Sequence, residues 1–274
     1  MFTLEDWGKA LAAWAIPEDI LASAPASPWG FPAEVFRRRA DAAAAGEPAT
    51  PTTQRALEAL PAGGTVLDVG CGAGATSLPL AGRASRIVGV DPSEEMISAF
   101  VDGVARAGVE AEAELGTWPD VAPRVDPADV VVCGHVLYNV QDLGPFARAL
   151  SDRARSRAVV EITGHHPLHW MNDLWHTFHG IERPAGPTAD DAQAALGGLG
   201  LDVRREDREA GPRAGGFARR EDAIAYIRRR LCLPPERDGS VAEALGDRLV
   251  DREGLWSAGP PRHHLVTLWW DGPG

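Results

Sequence analysis

The 274-residue chain is 45% hydrophobic, enough to bury a sizeable core, which excludes disordered and fibrous classes. Its formal net charge of −12 is the wrong sign for a phosphate-backbone partner, so no nucleic acid is expected. No run of about 18 apolar residues is present, so no membrane partner is expected either.

The N-terminal MFTLEDWGKA is acidic and lacks a basic segment followed by an apolar run, so it does not read as a signal peptide. Cys71, Cys133 and Cys232 are widely spaced and odd in number; they form no disulfide framework, and a cytoplasmic location is expected. Leu4, Trp7, Leu11 and Trp14 recur at helical spacing and predict a helix laid on the main body. Residues 42–53 read as a loop and 53–60 as a short helix. Residues 1–54 are therefore expected to form a helical cap on a domain spanning 55–274.

From 64 to 163 β-branched runs alternate with helical patterns. Strands are predicted at 65–69, 86–90, 109–115, 129–133 and 158–162, with helices at 75–83, 93–107 and 144–154. Buried strands alternating with helices imply an α/β fold, doubly wound on a mostly parallel sheet. Beyond 164 a His- and Trp-rich stretch precedes a helix at 188–199, a strand at 201–203, helices at 219–231 and 240–250, and a closing strand at 264–270. The Pro/Gly-rich pieces at 183–187 and 211–216 read as loops.

The most informative segment is Val66-Leu67-Asp68-Val69-Gly70-Cys71-Gly72-Ala73-Gly74, a strand running into a G-x-G-x-G turn. Glycines there permit positive φ and let backbone approach a ligand at the edge of a parallel sheet. The turn alone could serve a dinucleotide or simple packing. Asp68 would repel a pyrophosphate but suits an ammonium-bearing ligand. Asp91 ends the next strand, where a carboxylate accepts from both ribose hydroxyls.

VLDVGCGAG followed by VGVDPSEEMI resembles the first two motifs of class I S-adenosylmethionine-dependent methyltransferases, over roughly residues 55–163. The resemblance implies a Rossmann-like, seven-stranded sheet whose last strand runs antiparallel. It implies S-adenosyl-L-methionine as cofactor, lying along residues 66–96. Asp68, Gly70, Cys71, Gly72 and Gly74 would surround its methionyl part, Asp91 its ribose, and Pro92 and Met96 its adenosine. Where the family often has an adenine-binding acid the sequence reads Glu114-Leu115-Gly116-Thr117-Trp118; Thr117 could accept instead, and Trp118 could cover the adenine or simply pack. Cys133 or Gly134, ending the fourth strand, would touch the methionyl part, with His135 and Tyr138 approaching the acceptor. Cys71 and Cys133 read equally well as small buried fillers.

The implied reaction is methyl transfer to O or N of a small organic metabolite. The alternative is a cofactor-binding sensor or scaffold on the same fold. A proton-bearing acceptor needs a base, and His135, His166 and His176 are the candidates. Five of the eight histidines fall between 165 and 179, where the family inserts acceptor-side helices. Residues 164–182 and 207–262 are expected to be such insertions, with Trp170 and Trp175 on an acceptor lid. The same stretch could be a structural helix; no metal is assigned, because Pro167 interrupts the helical spacing of His165 and His169. His263 and His264 read as structural.

Overall fold

A computed structural model describes residues 2–30, 32–46, 49–211, 216–260 and 262–273. The elements in chain order are α1 (Leu4–Ala12), α2 (Glu18–Ser23), α3 (Ala33–Ala44), α4 (Pro51–Ala59), β1 (Gly64–Val69), β2 (Ala84–Asp91), α5 (Glu94–Arg106), β3 (Glu110–Leu115), β4 (Ala128–Gly134), α6 (Leu143–Arg153) and β5 (Ala154–Thr163). They continue as α7 (Asn172–His179), α8 (Ala189–Gly197), β6 (Arg204–Ala210), α9 (Arg220–Arg230), α10 (Asp238–Leu245), β7 (Leu249–Arg252), β8 (Leu255–Ala258) and β9 (His263–Asp271).

Seven strands form one sheet in the order β3-β2-β1-β4-β5-β9-β6, and only β9 runs against the rest. The expected doubly wound sheet with an antiparallel last strand is thus observed. Strand periodicity builds its two faces. Leu67, Val69, Val131 and Trp270 pack toward α1, α6 and α8, whereas Val66, Val130, Val132 and Trp269 pack toward α4 and α5. A third core, with Leu174, Trp175, Ile227 and Leu245, joins α7, α9 and α10.

Four local expectations are corrected. The helix predicted at 75–83 is only a 3-10 turn at Leu78–Leu80; the connection to β2 is short, and Pro79 lacks an N–H. Residues 42–44 finish α3 rather than begin a loop, as the alanine run favours, and α4 starts at Pro51, with the Thr50 hydroxyl accepting from Thr53 N–H at 3.2 Å. The sixth strand is the charged Arg204–Ala210, not 201–203; it lies on the sheet edge, where charge is tolerated and the apolar alternation is missing. Helix α10 ends at Leu245 and gives way to the β7–β8 hairpin, turned by Glu253 and Gly254, both with positive φ. The predicted loop at 211–216 falls mostly outside the described residues. No helix among the described residues is long and apolar enough to cross a membrane.

Candidate active site

The turn after β1 carries Gly70, Gly72 and Gly74 at φ of 69°, 51° and 92°. A Cβ on Gly70 would stand 2.4 Å from Val136 Cγ2, so only glycine lets this turn close on the segment following β4. Asp91, at the end of β2, is buried; its Oδ2 accepts Gly72 N–H and its Oδ1 accepts Ser93 N–H, each at 3.0 Å. Each oxygen keeps a lone pair, so the carboxylate is already oriented for further donors. Pro92 and Met96, at the start of α5, line the same wall.

Asp68 lies just behind the turn, fully buried. Its Oδ2 accepts the Ser77 hydroxyl at 2.6 Å, and its Oδ1 has no partner. Burial, reinforced by the Asp91 charge and opposed by the Ser77 bond, pushes its carboxyl up to about 7. Gly74 also sits behind the turn, where a Cβ would press on Leu78 at 3.2 Å and Phe100 at 3.4 Å. Cys133 is wholly buried in the sheet core and away from the cleft, whose wall its neighbour Gly134 supplies. Asp68, Gly74 and Cys133 therefore back the site rather than line it. Cys71 does line it, but burial drives both thiols well above their ordinary range, first by desolvation and then by nearby carboxylates.

These groups face an open cleft of about 2380 Å³, more than one small ligand fills. Thr117 and Trp118 are in its wall; Trp118 also packs in the core, its indole N–H donating to Phe146 O at 3.3 Å. Beside the glycine turn stand His135 and Glu161. His135 Nε2 lies 3.0 Å from Glu161 Oε1, and the His135 backbone N–H donates to the Glu161 carbonyl at 2.7 Å. His135 has a φ of 61°, an uncommon conformation for a non-glycine residue that costs about 1–2 kcal/mol and recurs at functional sites.

Glu161 was not singled out by the sequence reading, although a lone carboxylate in the run Ala158-Val159-Val160-Glu161-Ile162 was a usable signal. Burial opposes its ionisation. The hydrogen bond and charge of His135, the Thr52 hydroxyl at 2.7 Å and Arg208 outweigh that and hold it at about 2. Thr52 in turn meets Thr267 at 2.8 Å; since Thr52 gives its only proton to Glu161, Thr267 donates to Thr52. No sequence signal marked either threonine, because α4, β5 and β9 meet only in three dimensions.

The remaining predicted residues divide. His166 lines the cleft, stacked on Trp14 at 3.8 Å between ring centres. Its Nδ1 accepts Leu168 N–H at 3.2 Å, and burial, then Arg183 and His169, lower its pKa to about 3. It is a neutral ring whose Nε2 carries the proton, which equips it as a donor rather than a base. His176 stands outside the cleft, its side chain 62% exposed and paired with Glu182 at 2.8 Å. Tyr138 lines the cleft but is committed, its hydroxyl donating to Thr163 O at 2.8 Å. Trp170 and Trp175 reach the wall, Trp175 from within the third core. His264 is structural as expected, bound to Asp207 at 2.9 Å.

Residues 36–204 match a family described as a methyltransferase domain. The ubiquinone biosynthesis O-methyltransferase of Azorhizobium caulinodans is 28% identical over 153 residues, covering 50% of this chain and 58% of that relative. The Rhizobium etli protein of the same name is 25% identical over 168 residues, covering 56% and 64%. The chain thus spans less than two thirds of the length of these curated relatives. Among solved structures, YcgJ from Bacillus subtilis has a TM-score of 0.51 at 16% identity, covering 81% of this chain and 98% of its own. A cyclopropane-fatty-acyl-phospholipid synthase-like protein from Lactobacillus casei has a TM-score of 0.51 at 15% identity, covering 95% and 98%; at such identities the likeness concerns the fold. With its motif pair, sheet order and the family match over residues 36–204, the chain belongs to the methyltransferase-domain family and has the class I, Rossmann-like fold.

Proposed function

We propose that this methyltransferase acts on a hydroxyl oxygen of a small organic acceptor, with His135 as general base oriented by Glu161. The observation that carries the reading is the His135–Glu161 pair at 3.0 Å, beside the glycine turn in one cleft. An amine acceptor needs no such base, whereas a hydroxyl does. The curated relatives are named as O-methyltransferases, which supports the same choice.

The residues present fit the cofactor. Gly70 and Gly72 leave a cradle without side chains, and Asp91 offers two oriented acceptor oxygens. In this reading Gly70, Cys71 and Gly72 hold the methionyl part, with Asp68 and Gly74 supporting the turn from behind. Asp91 takes the ribose hydroxyls, while Pro92, Met96, Thr117 and Trp118 surround the adenosine. When bound, S-adenosylmethionine supplies an electrophilic methyl group. His135 donates its Nε2 proton to Glu161, which orients the ring as the base that takes the acceptor's hydroxyl proton. Glu161, held ionised by its three partners, stabilises the imidazolium that results. In this reading the described residues of 1–54, of 164–182 and, past the end of β6, of 207–262 cover the acceptor side and limit water there. Support for this comes from Trp14 stacking on His166 and from Ile16 and Ile20 joining the third core. The three free thiols, all buried, are compatible with the reducing cytoplasm.

The test is a turnover assay against a panel of small alcohols, phenols and amines. His135→Ala should lower kcat by about 10²–10⁴-fold with S-adenosylhomocysteine affinity within about twofold of wild type. Asp91→Ala should do the reverse to the ligand, weakening it at least about tenfold. Transfer confined to amines, or an unchanged kcat in His135→Ala, would overturn the assignment.

A further inference from the structure

Arg183 stands in the loop after α7 and lines the acceptor side of the cleft. Its guanidinium lies between two indoles, with Cζ 5.4 Å from the Trp14 ring centre and 5.0 Å from that of Trp175. One terminal nitrogen donates to Ala15 O at 2.9 Å and the other to Trp14 O. The Nε–H is buried and has no partner. The adjacent carboxylate, Glu182, is turned away to His176, and Arg183 forms no ion pair among the described residues.

A half-buried cation balanced only by carbonyl dipoles and π faces lacks the anion that such a group ordinarily takes. Two other arginines at the cleft differ: Arg208 approaches Glu161 at 3.6 Å, and Arg248 pairs with Asp173 at 2.9 Å. Only two of its five N–H donors are given to carbonyls, so each terminal nitrogen keeps a second N–H with which a carboxylate in the cleft can pair. The same wall continues through Trp14 to His166, whose Nε2–H is a further donor, and on to Tyr138, whose ring meets His166 edge-on at 5.4 Å. Trp14, His166 and Tyr138 all line the cleft with Arg183.

We propose that the methyl acceptor is a hydroxylated aromatic carboxylate, its carboxylate paired with Arg183 and its ring laid along the Trp14–His166–Tyr138 wall. This deepens the reading of the cleft as a hydroxyl-acceptor site and rests on it. Arg183 is then a specificity-determining residue rather than a purely structural clamp on the segment after α1.

The probes are 4-hydroxybenzoate, 3,4-dihydroxybenzoate and 4-hydroxycinnamate, each compared with its neutral primary amide near neutral pH. Binding is measured calorimetrically with saturating S-adenosylhomocysteine, and turnover with S-adenosylmethionine. At least one acid should bind, and be turned over, at least about tenfold better than its amide. Arg183→Gln should reduce that ratio to about twofold or less while S-adenosylhomocysteine affinity stays within about twofold, which shows that the cofactor half is folded. Arg183→Lys, which keeps the charge, should retain part of the preference; a structural clamp alone predicts no dependence on ligand charge. Equal binding of acids and amides, a preference that survives in Arg183→Gln, or no binding of any acid at millimolar concentration would overturn the proposal. Acid-selective binding without methyl transfer would instead sink the hydroxyl-transfer reading and leave the carboxylate site standing. Transfer to neutral phenols without acid preference would do the opposite.

Discussion

Asp68 and Glu161 are both buried carboxylates near the sheet's C-terminal edge, yet their surroundings push them in opposite directions. Glu161 has two donors, His135 and Thr52, and the charge of Arg208, and is held at about 2. Asp68 has one donor, a burial cost and the neighbouring charge of Asp91, and is raised to about 7 from an ordinary 3.8. A raised carboxyl favours folding when protonated; its contribution is complete below about pH 4 and is lost as pH rises through about 7. Asp68→Asn, which still accepts the Ser77 proton, should therefore raise the melting temperature of the cofactor-free protein at pH 8 and change it little at pH 4. Calorimetric scans at the two pH values check this, and an equal shift at both would remove the burial argument. Asp68 was legible in sequence as an important acid, but not as one standing behind the turn. That position depends on Ser77 folding back across a connection too short and Pro-broken for a full helix.

At the scale of elements, strand–helix packing sets how closely the cofactor edge can close. Gly89, in the middle of β2, faces the Phe100 ring of α5, and an added Cβ would come within 2.6 Å of it. Gly89→Ala should cost about 1–3 kcal/mol by overpacking, read as a lower urea midpoint with an unchanged slope. Phe100→Leu combined with Gly89→Ala should be less damaging than the sum of the single changes, because the two share one contact. Strict additivity would place the strain elsewhere. Strands β1, β2 and β4 were readable because both their faces are buried, which makes near-continuous apolar runs. The edge strand β6 and the β7–β8 hairpin were not, since one is charged throughout and the other is set by a two-residue turn.

For the whole molecule, the N-terminal helices decide whether the cleft has a roof. Trp7 is fully buried, donates to Val140 O at 2.8 Å and stacks on Tyr138 at 5.7 Å. Trp14 donates to Gly186 O at 2.6 Å while covering His166. The cap is thus tied to the segments after β4 and after α7, not merely laid beside them. Trp7→Ala should cost about 3–5 kcal/mol and should still unfold in one transition, because α1 shares its core with α6 and α8. Denaturant titration by fluorescence and far-ultraviolet circular dichroism checks this. A separate early transition for the N-terminal helices would show that the cap folds independently of the sheet.

The sequence by itself determined the glycine-turn edge of the cleft. The glycine turn, the acid ending β2 and the buried β-branched runs are local in the chain, and each imposes its conformation on its immediate neighbours. The seven-stranded sheet and its reversed last strand followed from the resemblance those motifs carry, whereas the strand order came from the structure. The acceptor side was decided only by the tertiary structure. His135 gains its partner because β4 and β5 lie side by side, and Glu161 stays ionised because α4 brings Thr52 to it. His166 loses its capacity as a base because α1's extension buries it under Trp14, and His176 loses its place because α7 turns it outward to Glu182. Burial and charge balance are sums over residues far apart in the chain, so no reading of spacing could have ranked those histidines.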